Sequence, residues 1–272
     1  MHGQGDAMVE APQSFIVRVE CEKAASQNGF RRVLGEEAGW AAFGSTTAQG
    51  TIHLAAIGAQ GPWFLALDHT GVIAELDLSP ADVPGPGRVR HVFDRLGALY
   101  SALHRIYELA ISLPDAPLRE FEAWVAGLPR TTEAERLVIQ RIGQDIFRTR
   151  LMDYWQGRCP LTGISDPDLL RASHIIPWSE CGSDAERLDV HNGLLLSALW
   201  DAAFDTGLVS FDNDGEVIAS PRLTSAAVVA LNLQLGAKLS GLTETHQANL
   251  AWHRTKCSLE IAKSVSEPAG HA

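Results

Sequence analysis

The spacing of apolar residues changes several times along this chain. The opening run SFIVRVE (residues 14–20) alternates apolar and polar side chains, the period of a strand with one buried face. Two short apolar runs follow, TIHLAAIG and WFLALD, set apart by the glycine-bearing turns GSTTAQG and GAQGP. Residues 14–77 therefore predict four or five antiparallel strands. The segment PADVPGPG reads as a loop. After it the period becomes helical, with Val92, Leu96, Leu99, Leu103, Ile106 and Leu109 on one side between Val89 and Leu113. Residues 1–112 are thus expected to form an α+β unit, an antiparallel sheet plus a long helix, behind a small, polar, frayed tail at 1–13.

Pro114, Pro117 and Pro129 bracket the short helix-like stretch LREFEAWVAGL, so residues 113–130 read as a helical linker. Thr132 followed by Glu135 fits a capping box at a helix start. Val138, Ile142, Ile146 and Phe147 mark that helix's apolar side, continued by Leu151, Tyr154 and Trp155 up to Gly157. Arg141 and Arg148, seven residues apart, share the other side, which is either a solvated face or one that contacts phosphates. Farther on, LLRASHII predicts a strand ending at Pro177, and Pro177–Trp178 open a polar loop that closes at the turn signal His191-Asn192-Gly193. Leu194 to Leu196 form a short strand, and SALWDAAFD a helix stopped by Gly207. This pattern places His174 at one strand end and Asn192 before the next strand, with the following helix facing both. Asp212-Asn213-Asp214-Gly215 reads as a hairpin turn, because Pro221 stands where a calcium loop needs glutamate.

Composition narrows the class. With 46% apolar and 20% charged residues over 272 positions, the chain is neither disordered, collagen-like nor coiled-coil. A formal charge of −11 excludes a generic polycation, so nucleic acid would have to be held by a local patch. Residues 131–207 are themselves acidic, with 7 Arg against 12 Asp and Glu; a homodimer is one way to assemble a binding groove from them. Cys21, Cys159, Cys181 and Cys257 form no C-x-x-C pair, which argues against a disulfide scaffold and a four-cysteine zinc site, so no structural zinc is expected. No signal-like N-terminus and no long apolar window is visible, and the expectation is a cytoplasmic protein without a membrane span. Trp40, Phe43, Trp63 and Phe64 either form the core of the first unit or stack a base.

Residues 158–207 resemble the HNH (ββα-metal) endonucleases, particularly a bacterial restriction-type subgroup. The pieces that carry the resemblance are Ser173-His174-Ile175-Ile176-Pro177-Trp178, Asn192-Gly193-Leu194-Leu195-Leu196, Phe204-Asp205-Thr206-Gly207 and the lead-in Arg158-Cys159-Pro160-Leu161-Thr162-Gly163. The resemblance implies a nuclease domain over 131–272 with its ββα core at about 169–207. It implies His174 as general base, Asn192 as the residue that orients it through a hydrogen bond and holds the loop, and a divalent metal, Mg²⁺ or Mn²⁺. Two departures stand out. Leu199 and Trp200 occupy the positions where a helix His would bind metal, and Ser173 replaces an acidic strand residue. Asp201 and Asp205, four apart on the same helix, are the substitutes expected to ligate metal; His191 is a further candidate. Arg141, Arg148 and Arg171 are the expected nucleic-acid contacts. The implied function is a metal-dependent DNA endonuclease of restriction or defence, acting on modified or unmodified DNA. The alternative is a catalytically degenerate HNH-fold module that binds nucleic acid or protein.

Overall fold

A computed structural model describes residues 9–233 and 236–257 and divides the chain into compact units at 1–123 and 124–272. The protein is α+β. The division falls inside the stretch expected to be a linker, and that stretch is ordered: α4 (Ala116–Val125) buries Phe121 and Val125.

The first described element differs from its prediction. Residues Phe15–Gln27 form helix α1, capped by the Ser14 hydroxyl, which accepts from the Val17 amide. Alternation over seven residues suggested a strand facing Phe15, Val17 and Val19 inward. The longer period wins: Val17, Cys21, Ala24 and Ala25 are buried at helical spacing, while Phe15 is 72% exposed and Val19 43%. The tail expectation holds no better for its last residues. Residues 1–8 lie outside the described chain, but Gln13 is buried and its side-chain amide donates to the carbonyls of Glu10 and Ala56.

Five strands follow as an antiparallel meander in the order β1 (Arg32–Glu37), β2 (Trp40–Gly44), β3 (Thr51–Ala56), β4 (Trp63–Leu67) and β5 (Val89–Phe93), with the short helix α2 (Thr70–Glu75) before β5. The long helix α3 (Leu96–Ser112) begins later than the expected Val89. Residues 89–93 instead pair with β4, Phe93 opposite Trp63 and His91 opposite Leu65, and both are buried by alternation. The register puts Ile52, Leu54, Trp63, Leu65 and Leu67 on one sheet face, where α1 and α3 pack through residues such as Leu99 and Leu103. On the opposite face Trp40, Ala55, Phe64 and Ala66 form a second buried layer, closed by Val9, Ile57 and Val83. Trp40, Phe43, Trp63 and Phe64 are all 3% exposed or less, so these aromatics are core and stack no base.

The second unit opens with α5 (Glu133–Tyr154), whose Thr132–Glu135 capping box is formed on both sides. Strand β6 (Leu170–His174) is followed by α6 (Asp184–Leu188), and β7 (Gly193–Ser197) pairs antiparallel with β6. Then come α7 (Ala198–Asp205), the hairpin β8 (Val209–Phe211) and β9 (Val217–Ala219), α8 (Ser225–Ala230) and α9 (Glu244–Lys256). Gly207, at φ +64, ends α7 in the left-handed conformation that glycine adopts without strain. No described helix is long and apolar enough to cross a membrane.

The helical register of α1 separates two substitutions that a strand would treat alike. Val17→Asp should destabilise the protein by about 3 kcal/mol or more, because it buries a charge, whereas Val19→Asp should stay within about 0.5 kcal/mol. Urea titrations followed by circular dichroism measure both; equal losses would restore the strand.

Candidate functional site

The site is built on the β6–β7 hairpin, which α5 and α7 cover from opposite sides. His174 pairs with Gly193 and Ser173 with Leu194. Adjacent strand residues point to opposite faces, so the imidazole and the hydroxyl leave the ribbon in opposite directions. On one face the ring of Phe147 from α5 stacks on His174, with centroids 3.7 Å apart and planes 17° apart. That approach needs glycine across the ladder, since a Cβ on Gly193 would lie 2.5 Å from the Phe147 ring. Trp178 meets the same imidazole edge-on at 5.7 Å.

His174 Nε2 lies 2.9 Å from the Arg187 carbonyl. A carbonyl only accepts, so Nε2 carries the proton and Nδ1 keeps the basic lone pair. Burial holds this imidazole below its ordinary value of 6.5, against the opposing pull of the Arg187 carbonyl. Arg187 in turn locks the loop. Its guanidinium donates to the carbonyls of Trp178 and Cys181 and pairs with Asp184 at 2.9 Å.

Asn192 is buried at 3% exposure and makes no hydrogen bond to the His174 ring, contrary to expectation. Its carbonyl oxygen accepts from the Ile176 amide at 2.8 Å, and its amide nitrogen donates to the carbonyls of Ile176 and Glu186. It therefore fixes the backbone two residues after the histidine and one residue before the carbonyl that orients it. The influence on His174 passes through the main chain.

On the other face, Ser173 donates to Asp205 at 3.2 Å. Both carboxyls sit above their ordinary range. Burial is the main cause for each; Asp201's charge raises Asp205 further, while Ser173 and, for Asp201, Arg171 pull the other way. The structure thus brings Asp201, Asp205 and Ser173 together, and sets His174 across the strand from them. Two neighbouring carboxylates and a hydroxyl form an oxygen donor set suited to a hard divalent cation that keeps much of its water. Among the described residues, no group of three or more His, Cys, Asp and Glu side chains could hold a metal. His191 does not join the acids. It pairs with Asp189 at 2.9 Å and packs edge-on against Tyr154 and His246. Leu199 is 51% exposed, and Trp200 is buried against Phe211.

The arginines behave differently from one another. Arg148 uses both terminal nitrogens on the carbonyls of Leu170 and Pro167, tying α5 to the start of β6. Arg171 donates from one nitrogen to the carbonyls of Asp168 and Leu170. Arg141 is exposed and has no ion pair among the described residues. Cys159 and Cys181 are buried free thiols. Sequence reading missed Arg187, Phe147 and Trp178 as parts of the histidine's setting. The contributing atom of Arg187 is a backbone carbonyl, which leaves no signal in residue type.

A strand, a loop, a second strand and a helix, with a carbonyl-bonded histidine at the first strand's end, define a ββα hairpin-helix unit. A family model for HNH endonucleases matches residues 159–212, about a fifth of the chain, and these are the residues of that unit. The match supports the HNH family for this segment and a nuclease activity in general. No curated protein matches the chain.

Two measurements probe the site without turnover. Asn192→Ala should cost roughly 1–3 kcal/mol in urea unfolding, since it strips partners from the Ile176 amide and two carbonyls. Adding Mg²⁺ or Mn²⁺ should raise the thermal midpoint of the native protein, because a ligand bound only to the folded state stabilises it. Asp205→Asn should fold normally and lose that rise; an equal rise in the variant would remove the acid pair from the metal site.

Proposed function

We propose that this protein is a metal-dependent HNH-type endonuclease that hydrolyses DNA phosphodiester bonds in a restriction or defence setting. The observation that carries the reading is the His174 imidazole at the end of β6, held by the Arg187 carbonyl with Nδ1 left as the proton acceptor. The DNA substrate and the biological setting rest on the motif resemblance.

A phosphodiester laid across the end of β6 would meet the imidazole on one side and the acid pair on the other. His174 Nδ1 takes a proton from the attacking water, and the imidazolium that forms keeps its Nε2–H on the Arg187 carbonyl, which disperses the new charge. Burial favours the neutral ring before reaction. Stacking on Phe147 and the Asn192-pinned loop fix the direction of attack, since the ring cannot swing away without leaving both contacts. Asp201 and Asp205 would hold the cation, with Ser173 orienting the Asp205 carboxylate. When bound, the cation supplies neutralisation of charge developing at the phosphate and the leaving oxygen. Arg141 and Arg171 are placed by this reading against flanking phosphates, while Arg148 acts mainly as a brace. The competing reading is a degenerate module that keeps the fold and binds nucleic acid or protein without cleaving it, and its motivation is the donor set of only two carboxylates.

Plasmid nicking separates the two. Native protein with Mg²⁺ or Mn²⁺ should cleave and lose activity with chelator. His174→Ala, still folded by circular dichroism though with a lower thermal midpoint, should lower the rate by roughly 10²–10⁴-fold at a temperature where it stays folded. No cleavage with any divalent ion, on modified or unmodified DNA, favours the binding module. The pH profile adds a sign. A base with a lowered pKa stays neutral below 6.5, so its acid limb should fall under that value and be independent of metal concentration. The limb set by Asp201 and Asp205, whose protons compete with the cation, should move to lower pH as metal is added.

A further inference from the structure

We infer that the open edge of the N-terminal sheet, strand β1, is a self-complementary surface that pairs antiparallel with the β1 of a second copy of this chain. The inference is independent of the nuclease reading. Among the described residues, β1 pairs in the meander with β2 alone, and no other described strand lies along the far side of its backbone. All six of its residues are exposed, including Val33 at 60% and Leu34 at 50%. The other edge of the same sheet is treated differently. The loop before β5 folds back on it, and the Ala81 amide donates to the Arg90 carbonyl at 2.7 Å. Among the described residues, one edge is closed by its own chain and the other is left open.

An open edge with exposed apolar residues invites indiscriminate pairing, and charges are a common safeguard. Here the charges are sorted by sign along the strand: Arg31 and Arg32 precede Val33-Leu34-Gly35, and Glu36 and Glu37 follow. An antiparallel pairing centred on Leu34 sets Arg31 and Arg32 of one copy beside Glu37 and Glu36 of the second copy, and places the two Leu34 side chains together at the middle. Directly opposed, opposite charges on paired strands are favourable and like charges are not. A parallel copy would put arginine on arginine and glutamate on glutamate. The same safeguard that rejects other edges therefore accepts an antiparallel copy of itself, which is the two-fold arrangement an isologous dimer requires. Among the described residues, Arg31, Arg32 and Glu37 have no ion pair within the chain, whereas Glu36 accepts a long hydrogen bond from the Gln13 amide at 3.4 Å. The bulge between Val33 and Gly35, with Gly35 at φ +135, adds one residue to β1 relative to β2. It bends the edge locally, so the contact is short and rests on charge as much as on ladder length.

Sedimentation velocity on the full chain at micromolar concentration tests this. The native protein should be a dimer that weakens as salt is raised. The variants Arg31→Glu/Arg32→Glu and Glu36→Arg/Glu37→Arg, each alone, should self-associate about tenfold or more weakly, because every strand then meets its own sign. Mixed together, the all-acidic and all-basic strands should form a one-to-one heterodimer. Leu34→Asp, which leaves the Gln13–Glu36 contact intact, should also be monomeric and covers the case in which the glutamate variant fails to fold. A monomeric native protein, a dimer indifferent to the two charge reversals and to Leu34→Asp, or folded variants that remain apart on mixing would each overturn the proposal.

Discussion

The side-chain amide of Asn192 is the constraint on which the site depends. A loop of more than ten residues separates β6 from β7, and a loop of that length has no hairpin turn to fix its ends. Asn192 closes it from within, accepting from one backbone amide and donating to carbonyls at both ends of the excursion. A carboxylate could accept but not donate, and an alkyl group could do neither, so the residue type follows from having both roles to fill in a buried position. Once the loop is closed, Glu186 is fixed and with it the neighbouring Arg187 carbonyl that gives His174 its tautomer. The histidine's chemistry is thus set two steps away, by hydrogen bonds that never touch the ring.

The hairpin's two faces divide the labour. Gly193 lets α5 approach until Phe147 lies flat on His174, and that burial lowers the affinity of the ring for a proton. The opposite face carries Ser173 and the two aspartates, where burial raises both carboxyls and the Asp201 charge raises Asp205 further. One strand therefore separates an imidazole held toward its neutral form from a pair of carboxyls whose pKa values are raised. The separation comes from the alternation of side chains alone, and a one-residue slip of β6 against β7 would exchange the two environments.

How much of this was legible in the residues depends on the range of the interactions. In the second unit the elements around the site announce themselves locally, since Thr132 and Glu135 start a helix, Gly207 stops one, and His174 and Asn192 flank turn signals, whereas α6 lies inside the expected polar loop and α8 and α9 were not anticipated. The first unit misled in two places for one reason. Over residues 14–20 and 89–93 the apolar spacing fits two periods, and the choice was made by partners distant in sequence, the sheet beneath α1 and the β4 strand beside β5. Within the site, residue types were found but contacts were not. Asp201 and Asp205 could be placed on one helix face from their spacing, yet which strand residue they meet depends on the facing of β6, and the partner of His174 is a main-chain atom.

The arginines bear on how such a site could hold a nucleic acid at all. Of the seven between residues 131 and 207, Arg150 and Arg187 pair with Asp153 and Asp184, and Arg148, Arg158 and Arg171 donate to carbonyls. Arg136, Arg141, Arg158 and Arg171 are exposed with no ion pair to an acid among the described residues, since the carbonyls held by Arg158 and Arg171 leave their charge intact. Four such guanidiniums among twelve acids give a modest salt dependence and limited non-specific affinity, because each neutralised phosphate contributes separately through released counterions. A cation seated on Asp201 and Asp205 would then be a large share of the positive charge a phosphate meets there. On this account metal binding and nucleic-acid binding are one coupled event.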